Sequence, residues 1–292
     1  MFRTPLILLL AAVATAAPTP RKRIVPNFRD LKVKTRIIEG VAPPRETTWF
    51  LKGPRSRVEN RIPSMRLLGR GSDPANVPVP MSVGISQCDL RTQYLLRPMW
   101  KTYIKQTATD RERPPDEISP LKQLMERNAR GPEVTITVDS VDTGERRQMG
   151  SYEARRVTTT IVVEPSKRAA TKPGSTEIDG WYIDLQGLSC WERDTQELPP
   201  QVGRIVMEAV RNNDHVIMKQ LGTAQRGFTV EEKSTRKEGG NVIVGKVELL
   251  EFSEQPLDPS LFEPPADYTA RAPGQSLPSP LFDSDGWVKV SH

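Results

Sequence analysis

Alternation of apolar and polar residues dominates the chain. Val134, Ile136 and Val138 point one way while Glu133, Thr135, Thr137 and Asp139 point the other, and Val157, Thr159, Ile161 and Val163 repeat the pattern. A period of two belongs to a strand with one buried and one wet face. Shorter alternating stretches predict strands at 32–40, 47–51 and 56–60, continuing across Gly53-Pro54. A meander follows at 83–88, 93–96 and 100–104, joined by tight turns at Asp89-Leu90-Arg91 and Arg97-Pro98-Met99. Later strands are predicted at 178–185, 216–219, 228–235 and 242–252, the last two separated by the turn Lys237-Glu238-Gly239-Gly240.

The period changes to that of a helix in two places. Residues 199–213 put Val202, Ile205, Val206, Ala209 and Val210 on one stripe, which needs a sheet to lie on. Ser119 followed by Pro120 is a hydroxyl cap with proline at the first helical position, and Leu121, Leu124 and Met125 form a short stripe ending near Gly131. Residues 62–82 are rich in Pro, Gly and Ser and read as a long loop. Residues 270–280 have the same character and open onto a poorly ordered tail, 269–292. The expected fold is mainly antiparallel β with a few helices, in a single domain over 31–268.

Composition narrows the class. A chain of 292 residues holds one large domain or two small ones, and 36% hydrophobic against 27% charged residues excludes a multi-span membrane protein. The 27 prolines disfavour long helical bundles. At the start, Arg3 precedes an apolar run from Leu6 to Ala12, and Ala-x-Ala sites follow at Ala12-Val13-Ala14 and Ala14-Thr15-Ala16. The expectation is a cleaved secretory signal over 1–16, then a basic segment over 17–30 containing Arg21-Lys22-Arg23, and a periplasmic or secreted location. The apolar run is shorter than the roughly 20 residues of a spanning helix, and no cysteine follows it to carry a lipid anchor.

Export places Cys88 and Cys190 where oxidation is possible. One disulfide would close a loop of about a hundred residues, worth ~4–5 kcal/mol in the chain-entropy model; two separately buried thiols are the alternative. Two Cys and two His do not suit a structural zinc site. The net charge of +6 favours acidic partners, anionic lipid head groups among them, without choosing one.

The motifs that carry chemistry are weak. Asp142-Thr143-Gly144 has the letters of an aspartic-protease turn but no second copy, so a hairpin turn explains it better. Asp283-Ser284-Asp285-Gly286 lacks the remaining ligands of a calcium loop. Gly187-Leu188-Ser189-Cys190-Trp191 approaches a nucleophile elbow without its final glycine. Asp214-His215 at a helix exit reads as a surface pair before it reads as a catalytic one. With no glycine-rich phosphate loop or dinucleotide fingerprint, no cofactor is expected, and the short basic clusters at Arg55 with Arg57 and Arg146 with Arg147 read as solvated faces. Aromatics on predicted strands (Trp49, Phe50, Trp100, Tyr103, Trp181, Tyr182 and Phe228) are either core or the lining of an apolar cavity.

Several segments carry a resemblance. They are Ile85-Ser86-Gln87-Cys88-Asp89, Asp142-Thr143-Gly144-Glu145, Gly150-Ser151-Tyr152-Glu153-Ala154-Arg155, Asp179-Gly180-Trp181-Tyr182-Ile183-Asp184, and the closing stretch from Leu257-Asp258-Pro259 through Phe262-Glu263-Pro264-Pro265 to Tyr268. In this order they resemble uncharacterised exported bacterial proteins of the LolA- and LppX-type lipoprotein-carrier superfamily, over about residues 30–268. The resemblance implies a strongly curved antiparallel sheet, an incomplete barrel, with helices on its concave face and room for acyl chains. The carriers usually begin with a helix ahead of the first strand, for which this chain leaves little length. The expected function is therefore a non-enzymatic binding protein holding a lipid, acyl chain or other apolar ligand, with Trp49, Trp100, Trp181 and Phe228 as candidate lining. The rival readings are an envelope protein-interaction or sensor module and, third, a hydrolase. No nucleic acid partner is expected; peripheral contact with a membrane is compatible with the charge.

Overall fold

The computed structural model describes residues 27–61, 80–107, 125–185, 200–222, 224–272, 281–282 and 288–289. The predicted signal, most of the 62–82 loop, the start of the helix predicted from Ser119, and Ser189 and Cys190 lie outside the described residues.

The alternating stretches are strands. The first six are β1 (Phe28–Glu39), β2 (Arg45–Gly53), β3 (Arg55–Arg61), β4 (Pro80–Gln87), β5 (Thr92–Arg97) and β6 (Thr102–Thr107). Three long ones follow, β7 (Glu133–Met149), β8 (Tyr152–Pro165) and β9 (Gly174–Ile183), then the helix α1 (Pro200–Arg211). The chain returns through β10 (His215–Leu221), β11 (Phe228–Glu238), β12 (Asn241–Ser253) and β13 (Thr269–Arg271), and a separate two-stranded pair is formed by β14 (Leu281–Phe282) and β15 (Val288–Lys289). Thirteen strands make one open sheet in the order β10-β7-β8-β9-β11-β12-β1-β2-β3-β4-β5-β6-β13. Its interior pairings are antiparallel, whereas the outermost two, β10 on β7 and β13 on β6, are parallel.

Three apolar clusters hold the sheet. Val202, Val206, Ala209 and Val210 of α1 pack on Val134, Ile136, Ile161 and Ile178, so the predicted stripe finds its sheet in β7, β8 and β9. A second cluster joins Leu31, Val33 and Leu51 to Ala154, Ile183, Phe228 and Val230. In the third, the 257–268 segment lays Phe262, fully buried, on Val83, Ile85 and Leu96, with Gln87 donating to the Phe262 carbonyl at 2.9 Å.

Three local expectations are corrected. Trp100 is not on a strand: it ends the 3₁₀ turn Pro98–Trp100, which Pro98 starts and Lys101, at φ 44°, terminates before β6. Asp142-Thr143-Gly144 is not the hairpin turn. It is a bulge inside β7, where the register to β8 shifts between Asp142 and Arg146. Asp142 accepts the Gly144 amide at 2.9 Å and pairs with both terminal nitrogens of Arg146, at 2.8 and 3.0 Å, while Gly144 takes the φ of +82° that favours glycine. The reversal comes later, between Met149 and Tyr152. Thr269–Arg271, which composition assigns to the tail, instead pairs with β6 as β13. The Gly239-Gly240 reversal is as expected, with φ of +55° and +86° in a two-residue hairpin.

Ion pairs line the even-numbered face of β1. Asp30 meets Lys52 at 2.7 Å, Lys34 meets Glu46 at 2.8 Å and Lys32 meets Glu251 at 2.8 Å. The hydrogen bond from Lys52 holds the Asp30 carboxyl below its ordinary value, that from Lys34 does the same for Glu46, and that from Arg156 does so for Asp179. A carboxyl depressed in the folded state stabilises the fold above its unfolded-state value and loses that contribution as pH falls through the folded one. The urea midpoint is therefore expected to hold between pH 7 and 5 and to fall below about pH 4, with Asp30→Asn flattening part of the fall. A midpoint unchanged down to about pH 2 would contradict this.

Candidate functional site

Strands β11 and β12 part company midway. They pair from the hairpin as far as Glu232 and Val247. Beyond that point β11 continues along β9 to Phe228, while β12 continues along β1 to Ser253. Aromatic side chains gather where the two arms separate. Trp49 of β2 meets Phe228 of β11 edge-on, ring centroids 5.4 Å apart, and Tyr152 of β8 meets Phe252 of β12 at 6.0 Å. Each pair is three strands apart in the sheet, about 14 Å in a flat one, so the sheet bends over itself here. Phe228 is buried, whereas Trp49, Trp181, Tyr152, Leu249 and Phe252 are half-buried around it.

Of the four residues expected to line a cavity, Trp49, Trp181 and Phe228 thus belong to one apolar seam. Trp100 lies in the turn before β6 and is not part of it. Alternation along β8 and β9 puts the seam residues Ala154, Trp181 and Ile183 on the face opposite Ile161 and Ile178, which carry α1. The helix therefore does not cover the seam.

Two arginines flank this part of the sheet, one on each face. Arg147 lies over the Trp181 ring at 4.7 Å and pairs with Glu231 at 3.1 Å. On the other face Arg226 lies 5.0 Å from the centre of the Tyr182 ring, donates to its hydroxyl at 3.0 Å and forms an ion pair with Glu232. The Tyr182 hydroxyl donates to Glu232 at 3.0 Å, and Gln201, in the first turn of α1, donates to the same carboxylate at 3.3 Å. Burial pushes the Tyr182 phenol well above its ordinary value, so the hydroxyl keeps its proton and donates it in the hydrogen bond to Glu232. A β-carbon at Gly180 would stand 2.6 Å from that hydroxyl, so only glycine leaves room for the ring to lie along its own strand. Sequence reading took Arg146 with Arg147 for a solvated face and did not single out Arg226. The signal present was the Glu231-Glu232 pair interrupting an apolar strand start.

The remaining candidates do not assemble a catalytic group. Both Asp214 carboxylate oxygens face the 170–171 turn, accepting from Thr171 N at 2.9 Å, Thr171 Oγ1 at 2.7 Å and Ala170 N at 3.3 Å, so Asp214 anchors a loop. His215 begins β10, its amide bonded to the Pro132 carbonyl. Cys88 is buried at the end of β4 and disulfide-bonded. Among the described residues no group of His, Cys, Asp and Glu has the spacing of a metal site, and no helix is long and apolar enough to cross a membrane. No protein-family model matches the chain, and no curated protein matches it.

Proposed function

We propose that the chain is an exported, non-enzymatic binding protein that holds a lipid, an acyl chain or another apolar ligand against a bent sheet, in the manner of the LolA- and LppX-type carriers it resembles. The observation that carries this reading is the aromatic seam: half-buried Trp49, Trp181, Tyr152 and Phe252 ring a buried Phe228 where β11 and β12 separate. Side chains of this kind give an alkyl chain a large apolar surface at small conformational cost, at ~0.8 kcal/mol per buried CH₂. In the carriers, helices cover the concave face. Here α1 packs on the other side of β8 and β9, so the seam's own aromatics meet the ligand.

Tryptophan fluorescence read during titration with a long-chain fatty acid tests this. Saturable quenching is expected, at least tenfold weaker in Trp49→Ala and unchanged in Trp100→Ala, whose side chain is outside the seam. Absence of saturation, or equal loss in both variants, would contradict the reading. A second reading, docking of an envelope protein, rests on Val41, Val242 and Val244, which are exposed near the β1–β2 and β11–β12 turns.

A further inference from the structure

One end of the sheet gathers three connections of the same character. Along the order β8-β9-β11-β12-β1-β2 the antiparallel register delivers the end of β8, the β11–β12 hairpin and the β1–β2 loop to the same edge. Val163 stands opposite Gly174, Gly174 opposite Glu238, and Glu238 opposite Asn241. Gly245 stands opposite Glu39, and Ile37 opposite Arg45. The connections read Ser-Lys-Arg-Ala-Ala-Thr-Lys-Pro over 166–173, Gly239-Gly240, and Gly-Val-Ala-Pro-Pro over 40–44, and none of them contains an acid.

Apolar side chains stand in water at this end. Val41 is fully exposed, Val242 is 60% and Val244 48% exposed, and Ala42 and Pro44 are exposed beside them. Val242 lies opposite Lys237 and Val244 opposite Thr235, so both valines share the Lys237 face of the hairpin. The Gly40 amide donates to the Val244 carbonyl at 3.1 Å, which ties the 40–44 loop to β12, and the Ala42 amide donates to the Glu39 carbonyl at 3.1 Å. With Pro43 and Pro44 fixing the return, the loop has little freedom to turn Val41 inward.

Cations stand around these side chains. Lys167, Arg168, Lys172, Lys237 and Arg45 are all exposed, and none makes an ion pair among the described residues. Lys172 reaches the hairpin turn, where a β-carbon on Gly239 would meet its Cδ at 3.8 Å. Elsewhere most cations on this sheet are matched: Lys32, Lys34, Lys52, Arg55, Arg57 and Arg156 each have a carboxylate within 3.3 Å. Two of the acids flanking the three connections have cationic neighbours, Glu39 with Arg204 at 3.1 Å and Glu238 with Arg236 at 3.6 Å, while Glu164 is exposed.

We infer that this end of the sheet docks on an anionic membrane surface, with Val41 and Val242 entering among the head groups and the five cations meeting lipid phosphates. Exposed valines alone serve the protein-docking reading as well, and unmatched cations alone fit any polyanion. The two together fit a surface that is anionic outside and apolar beneath. The aromatic seam is not involved: Phe228 is at the opposite end of β11 from Glu238, roughly 30 Å along the strand.

Co-sedimentation of the full chain with vesicles of phosphatidylcholine, with or without phosphatidylglycerol, tests this surface. Capture is expected only with phosphatidylglycerol, and is expected to fall as salt rises. Lys167→Gln with Lys172→Gln is expected to weaken it roughly thirtyfold, from two cations at ~1 kcal/mol each. Val41→Ser with Val242→Ser is expected to weaken it about tenfold. Thermal midpoints are expected to stay unchanged because all four side chains are exposed. Trp49→Ala is expected to leave capture intact, so failure of this surface and failure of the acyl-chain reading are told apart. Equal capture by both vesicle types, no capture by either, loss in Trp49→Ala, or indifference to both double substitutions would overturn the inference. A concentration-dependent dimer broken by Val41→Ser with Val242→Ser, without vesicle capture, would assign the valines to a second copy of the chain instead.

Discussion

Arg226→Ala is expected to lower the free energy of unfolding by about 3–5 kcal/mol, the cost of leaving one partner of a buried ion pair uncompensated. The Arg226 and Glu232 side chains are only 9% and 8% exposed, and the carboxylate takes hydrogen bonds from Tyr182 and Gln201 as well. Removing the guanidinium leaves Glu232 charged beneath α1 and strips the Tyr182 ring of the group stacked near it. Urea unfolding followed by far-UV circular dichroism gives the loss directly. The double variant Arg226→Met with Glu232→Gln removes both charges and keeps the volume, and is expected to recover more than half of it. Equal loss in the single and double variants would show that packing, not the charge, carries the effect.

Reduction of the disulfide at Cys88 is expected to cost a comparable ~4–5 kcal/mol in the chain-entropy model. Cys88 is 3% exposed and disulfide-bonded, and a bridge to Cys190, the other cysteine in the sequence, would close a loop of about a hundred residues. That loop contains β5 to β9, which includes the sheet face beneath α1. Unfolding is expected at lower urea in the presence of reductant, Cys88→Ala is expected to match the reduced protein and to be insensitive to reductant, and a non-reducing peptide map is expected to join the two cysteine peptides. Two titratable thiols in the native protein would contradict it.

Much of the strand content was legible because alternation is a local signal. Val134, Ile136 and Val138 report their buried face whatever they pair with, and the α1 stripe reports its helix in the same way. Pairing order is not local. Nothing in His215–Leu221 says that it runs parallel to β7, or that Thr269–Arg271 will do the same with β6, because those partners are set by where distant segments deliver the chain. The DTG letters misled for a related reason. A bulge and a hairpin use the same Asp-x-Gly chemistry, and only the register to β8 tells them apart. Trp49, Trp181 and Phe228 were visible as large aromatics on strands, but their meeting depends on β11 and β12 separating beyond Glu232, a property of two pairings at once. Trp100 shared their residue type and lacked that position. The Arg226 layer was hidden altogether, since an arginine in a connection next to Gly227 has the sequence character of a solvated loop.

The most direct test of the apolar-ligand account is native mass spectrometry of the protein, purified from its source cells without detergent and measured before and after solvent extraction. The account predicts a stoichiometric adduct of lipid mass that survives purification and disappears on extraction, and its loss from Trp49→Ala. A wild-type protein that carries no adduct, and takes none up after incubation with lipid, would contradict it.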